Sequence, residues 1–380
     1  MRAILRTFAV LAVLPYLGIV FLLVTGTASW SSFAYVVAIG ALLGGLVTLP
    51  DPPRSGDHFR SPKKGRRRGL SRGAVVALAA VALVRAFVAG DGRTMRVDGV
   101  SPALAGARST NGAGDDRGRT GSARLVNRLV DEGDVAVAGT RVLVASGMVH
   151  DDVRELPSAM TNAYGAMRRD EGDAPSPFVA TYLGLERPAA FDLVLIEAPR
   201  SAETTAPSRN AIVFLHGYAG NFDLPCWQIA RAVASTGAVT ACPSTRWIGD
   251  WWSPEGEATL RRTVDVLHAR GVDRIVLAGL SNGGYGAARL APRMKGMFSG
   301  LVLISGADPN APGAGIPTLV IHGTRDTMTS FEDSRRYAAK NSAKLVALDA
   351  GHFAMLVRAE ESDRAVRDFV AARVEARASR

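Results

Sequence analysis

Apolar and polar positions divide the chain into three kinds of pattern. Three nearly unbroken apolar runs come first, Phe8–Val24, Phe33–Leu49 and Ala74–Ala89. Each approaches the roughly 20 residues a helix needs to cross a bilayer. Residues 91–122 are rich in Gly, Ser, Asp and Arg with few large apolar side chains, the pattern of a flexible linker. Beyond residue 123, short β-branched runs alternate with stretches whose apolar residues recur at helical spacing. The strand-like runs are Phe191–Ala198, Ala211–Leu215, Ala238–Ala241, Ile275–Ala278, Leu301–Ile304, Thr318–Ile321 and Lys344–Leu348. In Glu257–Arg270, Leu260, Val264 and Leu267 fall on one helical face, as do Val366, Phe369, Val370 and Val374 in Asp363–Ala378. Apolar strands alternating with amphipathic helices predict an α/β fold, a mostly parallel sheet with helices on both faces. Within 123–190 the pattern is less regular: Val135–Ser146 reads as a strand or hairpin, Ser158–Arg169 as a helix and Asp170–Pro177 as a loop.

The three runs predict a membrane anchor over 1–90, a linker over 91–122 and a catalytic unit over 123–380. Charge supports that division. The net charge of +10 would suggest a nucleic-acid partner if it were spread over a face. Residues 1–100, however, hold 13 basic against 4 acidic side chains, nine of the ten excess charges. Eight of them, Arg54, Arg60, Lys63, Lys64, Arg66, Arg67, Arg68 and Arg72, lie between the second and third runs. A short loop this basic stays cytoplasmic, and Arg2 and Arg6 keep the N-terminus inside. Three spans then export everything after Ala89. Arg85, near the end of the third run, is expected to snorkel to the interface. Thr27-Ala28-Ser29 would offer small residues for cleavage if the first run were a signal peptide; the exported side would be the same. Nucleic-acid binding is thereby disfavoured, and the membrane becomes the expected partner.

The chemistry centres on Arg274-Ile275-Val276-Leu277-Ala278-Gly279-Leu280-Ser281-Asn282-Gly283-Gly284. A buried-strand pattern stops at Gly-x-Ser-x-Gly, which predicts a sharp turn with Ser281 at its apex and a helix leaving at once. Gly279 and Gly283 must be small so that strand and helix can approach. A serine hydroxyl needs a base, a carboxylate to orient that base, and donors for the oxyanion. In a parallel sheet such groups gather at the carboxyl ends of strands. Asp326 follows the strand Thr318–Ile321, and His352 follows Lys344–Leu348. Asp308 is the reserve for the acid. The oxyanion donors are expected to be the N–H groups of Asn282 and of Tyr218, the latter in His216-Gly217-Tyr218-Ala219-Gly220-Asn221. His216 then organises its loop, and His322 is a hydrogen-bonding residue at a strand end.

From Phe191 onward these motifs together resemble the α/β-hydrolase superfamily. The resemblance implies an eight-stranded sheet, so two strands precede Ala211–Leu215; Phe191–Ala198 is one, and Phe178–Leu183 is the candidate for the first. Only Ser305–Pro317 separates the sixth and seventh strands, which leaves no room for an inserted cap. That layout resembles the capless carboxylesterases, acyl-protein thioesterases and dienelactone hydrolases. Serine at the elbow argues against an epoxide hydrolase or dehalogenase, which use aspartate there. The expected activity is hydrolysis of a small-molecule or lipid ester through an acyl-enzyme, with no cofactor and no metal. A peptidase or acyltransferase could use the same intermediate, and a non-catalytic surface domain is the alternative outside enzymes. Trp247, Trp251 and Trp252 are candidate pocket residues. Cys226 and Cys242, too few for a disulfide framework or a zinc site, are a candidate disulfide if the domain is exported.

Overall fold

The apolar runs near the N-terminus are helical in a computed structural model, which describes residues 2–24, 29–47, 64–88, 90, 92–100, 121–186, 188–197 and 208–375. Thr27-Ala28, residues 48–63 of the basic stretch and residues 101–120 of the expected linker lie outside the described residues. The chain forms two compact units: Met1–Ala89 with Leu129–Val142, and Gly90–Arg128 with Leu143–Arg380.

The first unit contains α1 (Arg2–Val24), α2 (Trp30–Val47) and α3 (Lys64–Val88). Three membrane spans are too many. Among the described residues only α2 is long and apolar enough to cross a bilayer; Thr7–Gly18 and Gly73–Phe87 are shorter apolar stretches. The reason in α3 is that Lys64–Arg72, read as loop, forms its first turns and leaves apolar sequence only from Gly73. Arg85 does not snorkel. It is buried, with Asp131 3.9 Å away and equally enclosed. α1 and α2 touch where the Tyr16 hydroxyl donates to Val36 O, 2.8 Å. Outward from all three helices project large apolar side chains, among them Phe8, Leu14, Phe33, Val76 and Phe87. Val135–Ser146, expected as a strand or hairpin, is helical as far as Ala145, within α5 (Glu132–Ala145). Asp131 Oδ1 accepts from Asp134 N–H, 3.0 Å, and so caps it, while Glu132 and Asp134 in the first turn complement the helix dipole. An alternating Val-Ala sequence fits either period, and the cap decides.

The second unit is built on β1 (Met95–Val100), β2 (Phe191–Ile196), β3 (Asn210–Leu215), β4 (Val239–Pro243), β5 (Arg274–Leu280), β6 (Gly300–Ile304), β7 (Thr318–Gly323) and β8 (Lys344–Leu348). They form one sheet in the order β1-β2-β4-β3-β5-β6-β7-β8. Only β2 runs against its neighbours. This is the eight-stranded, mostly parallel sheet of the expected fold, with one displaced element. The first strand is Met95–Val100, inside the stretch read as linker; Phe178–Leu183 supplies the short helix α7 (Phe178–Tyr182) instead. In β1 only the end residues Met95 and Val100 are buried, so its pattern does not read as apolar. Pro177 immediately before α7, at φ −73°, sets the backbone for a helix.

The remaining helices are α4 (Gly121–Leu129), α6 (Leu156–Glu171), α8 (Asp223–Val233), α9 (Pro254–Ala269), α10 (Asn282–Leu290), α11 (Phe331–Lys340), α12 (Ala354–Val357) and α13 (Ala359–Glu375). Central strands bury consecutive residues, as a sheet covered on both faces must. One face, with Leu195, Val213, Leu277, Leu303 and Val320, packs on Leu260 and Val264 of α9, Ala287 and Leu290 of α10 and Tyr337 of α11. α8 and α13 contact one another and cover the alternate residues.

Cys226 of α8 is bridged to Cys242 of β4, with Cα atoms 6.1 Å apart and 16 residues of separation. A loop of this length restrains the unfolded chain by about 3 kcal/mol. The Cys226→Ser/Cys242→Ser variant is therefore expected to lose about that much unfolding free energy, with its urea midpoint lowered accordingly. An unchanged midpoint would mean that the bridge restrains nothing.

Candidate active site

Ser281 sits between the end of β5 and the start of α10 at φ 54°, ψ −119°. A non-glycine residue there stores on the order of 1–3 kcal/mol of strain. The packing that maintains it is visible at the flanking glycines. A Cβ on Gly279 would lie 2.2 Å from Gly283 O, and one on Gly283 would lie 2.0 Å from Leu215 O. Ser281 N–H donates to Ile304 O of β6, 2.9 Å, which fixes the turn against the next strand.

Asp326 and His352 come together in the loops after β7 and β8. His352 Nδ1 is 2.8 Å from Asp326 Oδ2. His322 Nε2 approaches the same oxygen at 3.0 Å, and Thr329 Oγ1 lies 2.7 Å from it. Oδ1 accepts from the N–H groups of Met328 and Thr329, both 2.8 Å. Asp326 ionised can accept all of these, so the proton on each ring is assigned to the nitrogen facing it. His322 Nδ1 then accepts from Ser334 Oγ, 2.6 Å. Burial opposes charge on Asp326, but the hydrogen bonds from His322 and His352 and the charge of His352 outweigh it. They hold the carboxyl well below the usual carboxylate range.

The elbow and the histidine loop meet through β6 and its end. Ile304 O takes the Ser281 N–H, and Ser305 Oγ donates to His352 O, 2.8 Å. Among the described residues neither Ser281 Oγ nor His352 Nε2 has a hydrogen-bond partner. Such bonds are often long without substrate and tighten when it binds. Asp308 stands apart, engaged by Arg289 Nε at 2.6 Å and by Asn310 N–H at 2.9 Å.

The loop after β3 lies against Ser281: a Cβ on Gly217 would be 3.1 Å from Ser281 Cβ. His216 is buried beneath it. Thr245 N–H donates to His216 Nε2, 3.1 Å, so Nδ1 carries the proton and donates to Gly217 O, 2.7 Å. Pinning the Gly217 carbonyl orients the whole Gly217–Tyr218 peptide, and Tyr218 N–H is left without an acceptor among the described residues. Asn282 N–H, in the first turn of α10, has no intrahelical acceptor. Its side chain donates to Ile248 O, 2.7 Å.

Burial lowers the pKa of His216 from 6.5 to about 4, against the opposing bond to Gly217 O. A base that resists its proton when folded is destabilising below the unfolded value. Stability present above pH 6.5 is expected to fall as pH drops towards 4, by about 3 kcal/mol at 1.36 kcal/mol per unit. Urea midpoints of the wild type and His216→Gln at pH 7 and pH 4.5 check this. Equal acid sensitivity of the two proteins would reject the assignment.

Trp251 is not a pocket residue. It is fully buried, and its Nε1–H donates to His216 O, 2.9 Å, so it buttresses the loop after β3 from within. Trp252 is partly exposed and lies under the Arg289 guanidinium, 4.8 Å from the ring centre. Trp247 is half-exposed and touches two exposed tyrosines, Tyr218 with ring centres 4.8 Å apart and Tyr182 at 5.9 Å. Tyr182 and Thr329 carried no signal in the sequence. Their contacts join segments that meet only when folded. Asp250 is paired with Arg246. Among the described residues no group of three or more His, Cys, Asp or Glu side chains is placed to share a cation.

No family model and no curated protein matches the chain. Among solved structures it is similar to Est1E from Butyrivibrio proteoclasticus: 16% identity over 49% of this chain and 95% of that one, TM-score 0.41. It is likewise similar to the Pyrococcus furiosus esterase Pf2001, at 18% identity over 48% and 87%, TM-score 0.39. XC6422 from Xanthomonas campestris, described as an α/β serine hydrolase without lid, aligns at 18% identity over 49% and 92%, TM-score 0.37. Overlaps this weak carry no argument, and the fold rests on the sheet order and strand directions above.

Proposed function

We propose that the chain is a membrane-anchored serine hydrolase that cleaves carboxylic esters outside the cytoplasmic membrane. The observation that carries the reading is Ser281 held at φ 54° beside a loop end that binds the buried Asp326–His352 pair. In this mechanism Ser281 Oγ attacks the ester carbonyl while its proton passes to His352 Nε2. The oxyanion accepts from the Asn282 and Tyr218 N–H groups. Collapse expels the alcohol, which takes the proton from His352 and leaves an acyl-Ser281 ester. Water attacks that ester with His352 again as base, and the free acid departs. Asp326 keeps Nδ1 protonated and Nε2 available throughout. Tyr182, Tyr218 and Trp247 offer an aromatic surface beside the oxyanion loop for the apolar part of a small-molecule or lipid ester.

Anchoring is supported by α2 and by the apolar side chains projecting from α1, α2 and α3. The Cys226–Cys242 bridge supports an oxidising compartment for the catalytic unit. An impermeant fluorophosphonate applied to intact cells tests activity and sidedness together. It is expected to label the wild type and not Ser281→Ala. Labelling that requires lysis would place the site inside the cell, and equal labelling of both proteins would remove Ser281 as nucleophile.

A further inference from the structure

The segment just ahead of α6 has no part in the mechanism above, yet it grips both loops that carry the acid and the base. Asp151 Oδ2 accepts from Thr327 N–H, 2.9 Å, and from Thr327 Oγ1, 2.8 Å. Asp152 Oδ2 accepts from Gly351 N–H, 2.6 Å, and its Oδ1 from Arg325 Nη2, 2.9 Å. Arg325 and Thr327 flank Asp326, and Gly351 precedes His352. Two adjacent carboxylates thus hold the immediate chain neighbours of both members of the pair. The approach is close: a Cβ on Gly351 would stand 2.2 Å from Asp151 Cβ. Asp152 adopts φ 52°, is only 2% exposed at its side chain, and gives its carbonyl to Glu155 and Leu156 N–H at 2.9 and 2.8 Å. Arg325 adds a second tie across the two loops through Asp349 Oδ1, 2.8 Å.

We propose that Asp151 and Asp152 are positioning residues that set the spacing between the Asp326 loop and the His352 loop. The proposal rests on the hydrolase reading of that pair. Neither aspartate touches the reacting atoms. They act by fixing backbone on which the Nδ1–Oδ2 contact depends, and a displacement of about 1 Å in such a constellation costs on the order of 100-fold in rate. Binding of the ester, which falls to the oxyanion loop and the aromatic surface, is untouched.

The experiment compares full-length proteins in detergent with p-nitrophenyl acetate. Asp151→Ala/Asp152→Ala is expected to lower kcat about 30- to 100-fold with KM within about two-fold. Asp151→Asn/Asp152→Asn, whose amide oxygens still accept from Thr327 and Gly351, should recover to within about five-fold of wild type. Thr327→Val, which removes one of the two bonds to Asp151, should lower kcat about three-fold. Glu155→Ala serves as control: it breaks an ion pair from the same segment to Arg358 and removes no hydrogen bond to either loop. It should leave kcat unchanged. The proposal is overturned if the double alanine variant keeps kcat within two-fold of wild type, or if Glu155→Ala loses as much. Should the double alanine variant not fold, wild-type kcat in Thr327→Val overturns it equally. Ser281→Ala run alongside separates the two levels: full turnover there would reject the hydrolase reading itself.

Discussion

Ser281→Ala is expected to lower kcat for a p-nitrophenyl ester on the order of 10⁶-fold while leaving KM close to wild type. The hydroxyl is the only atom group removed, and no other group in the site can form the acyl-enzyme. The residual rate comes from the Asn282 and Tyr218 N–H groups, which still stabilise attack by water. Alanine shares the backbone restriction of serine, so the elbow stays strained and folding should be little altered. Steady-state kinetics on the purified full-length protein, with far-UV circular dichroism as the folding check, decides the matter. Turnover within ten-fold of wild type would eliminate the nucleophile.

Asp326→Asn is the second large effect, about 10⁴-fold in kcat. Asp326 Oδ2 is faced by His352 Nδ1, His322 Nε2 and Thr329 Oγ1. A carboxylate can accept from all three. An amide must turn its N–H groups either towards these three or, with its oxygen kept at the Oδ2 position, towards the Met328 and Thr329 N–H groups that Oδ1 accepts from. If an amide donor meets His352 Nδ1, the ring must move its proton to Nε2, the atom that has to receive the serine proton. The geometry survives and the chemistry does not. Labelling by a fluorophosphonate should slow in parallel with kcat, since phosphonylation needs the same base. A variant with wild-type labelling kinetics would show that Asp326 does not orient His352, and Asp308, bound to Arg289, would not replace it.

How far the sequence disclosed this arrangement depends on how local each signal is. The elbow was legible because its causes lie within eleven residues: a β-branched run, two glycines forced by close approach, and a serine between them. The strands from β2 to β7 were legible for the same reason, being largely apolar and buried along most of their length. β1 was not, because its middle residues are only partly buried and its identity comes from pairing with Phe191–Ile196. Phe178–Tyr182 has the side chains of a strand, and Pro177 and the surrounding packing make it helical. The three apolar runs looked equivalent, yet the basic residues just ahead of the third are part of its helix, and Arg85 is enclosed with Asp131. In the site, Asp326 and His352 could be read from their places after strands. Trp251 could not be assigned to the interior, nor Asp151 and Asp152 to the two loops, since these contacts join residues 35 to 199 positions apart.

The link from β6 to β7, residues 305–317, holds neither helix nor strand. No insertion stands there to swing aside when an aggregated lipid arrives. Turnover of short-chain esters should therefore follow a simple hyperbola straight through the critical micelle concentration, without the jump in rate that marks interfacial activation.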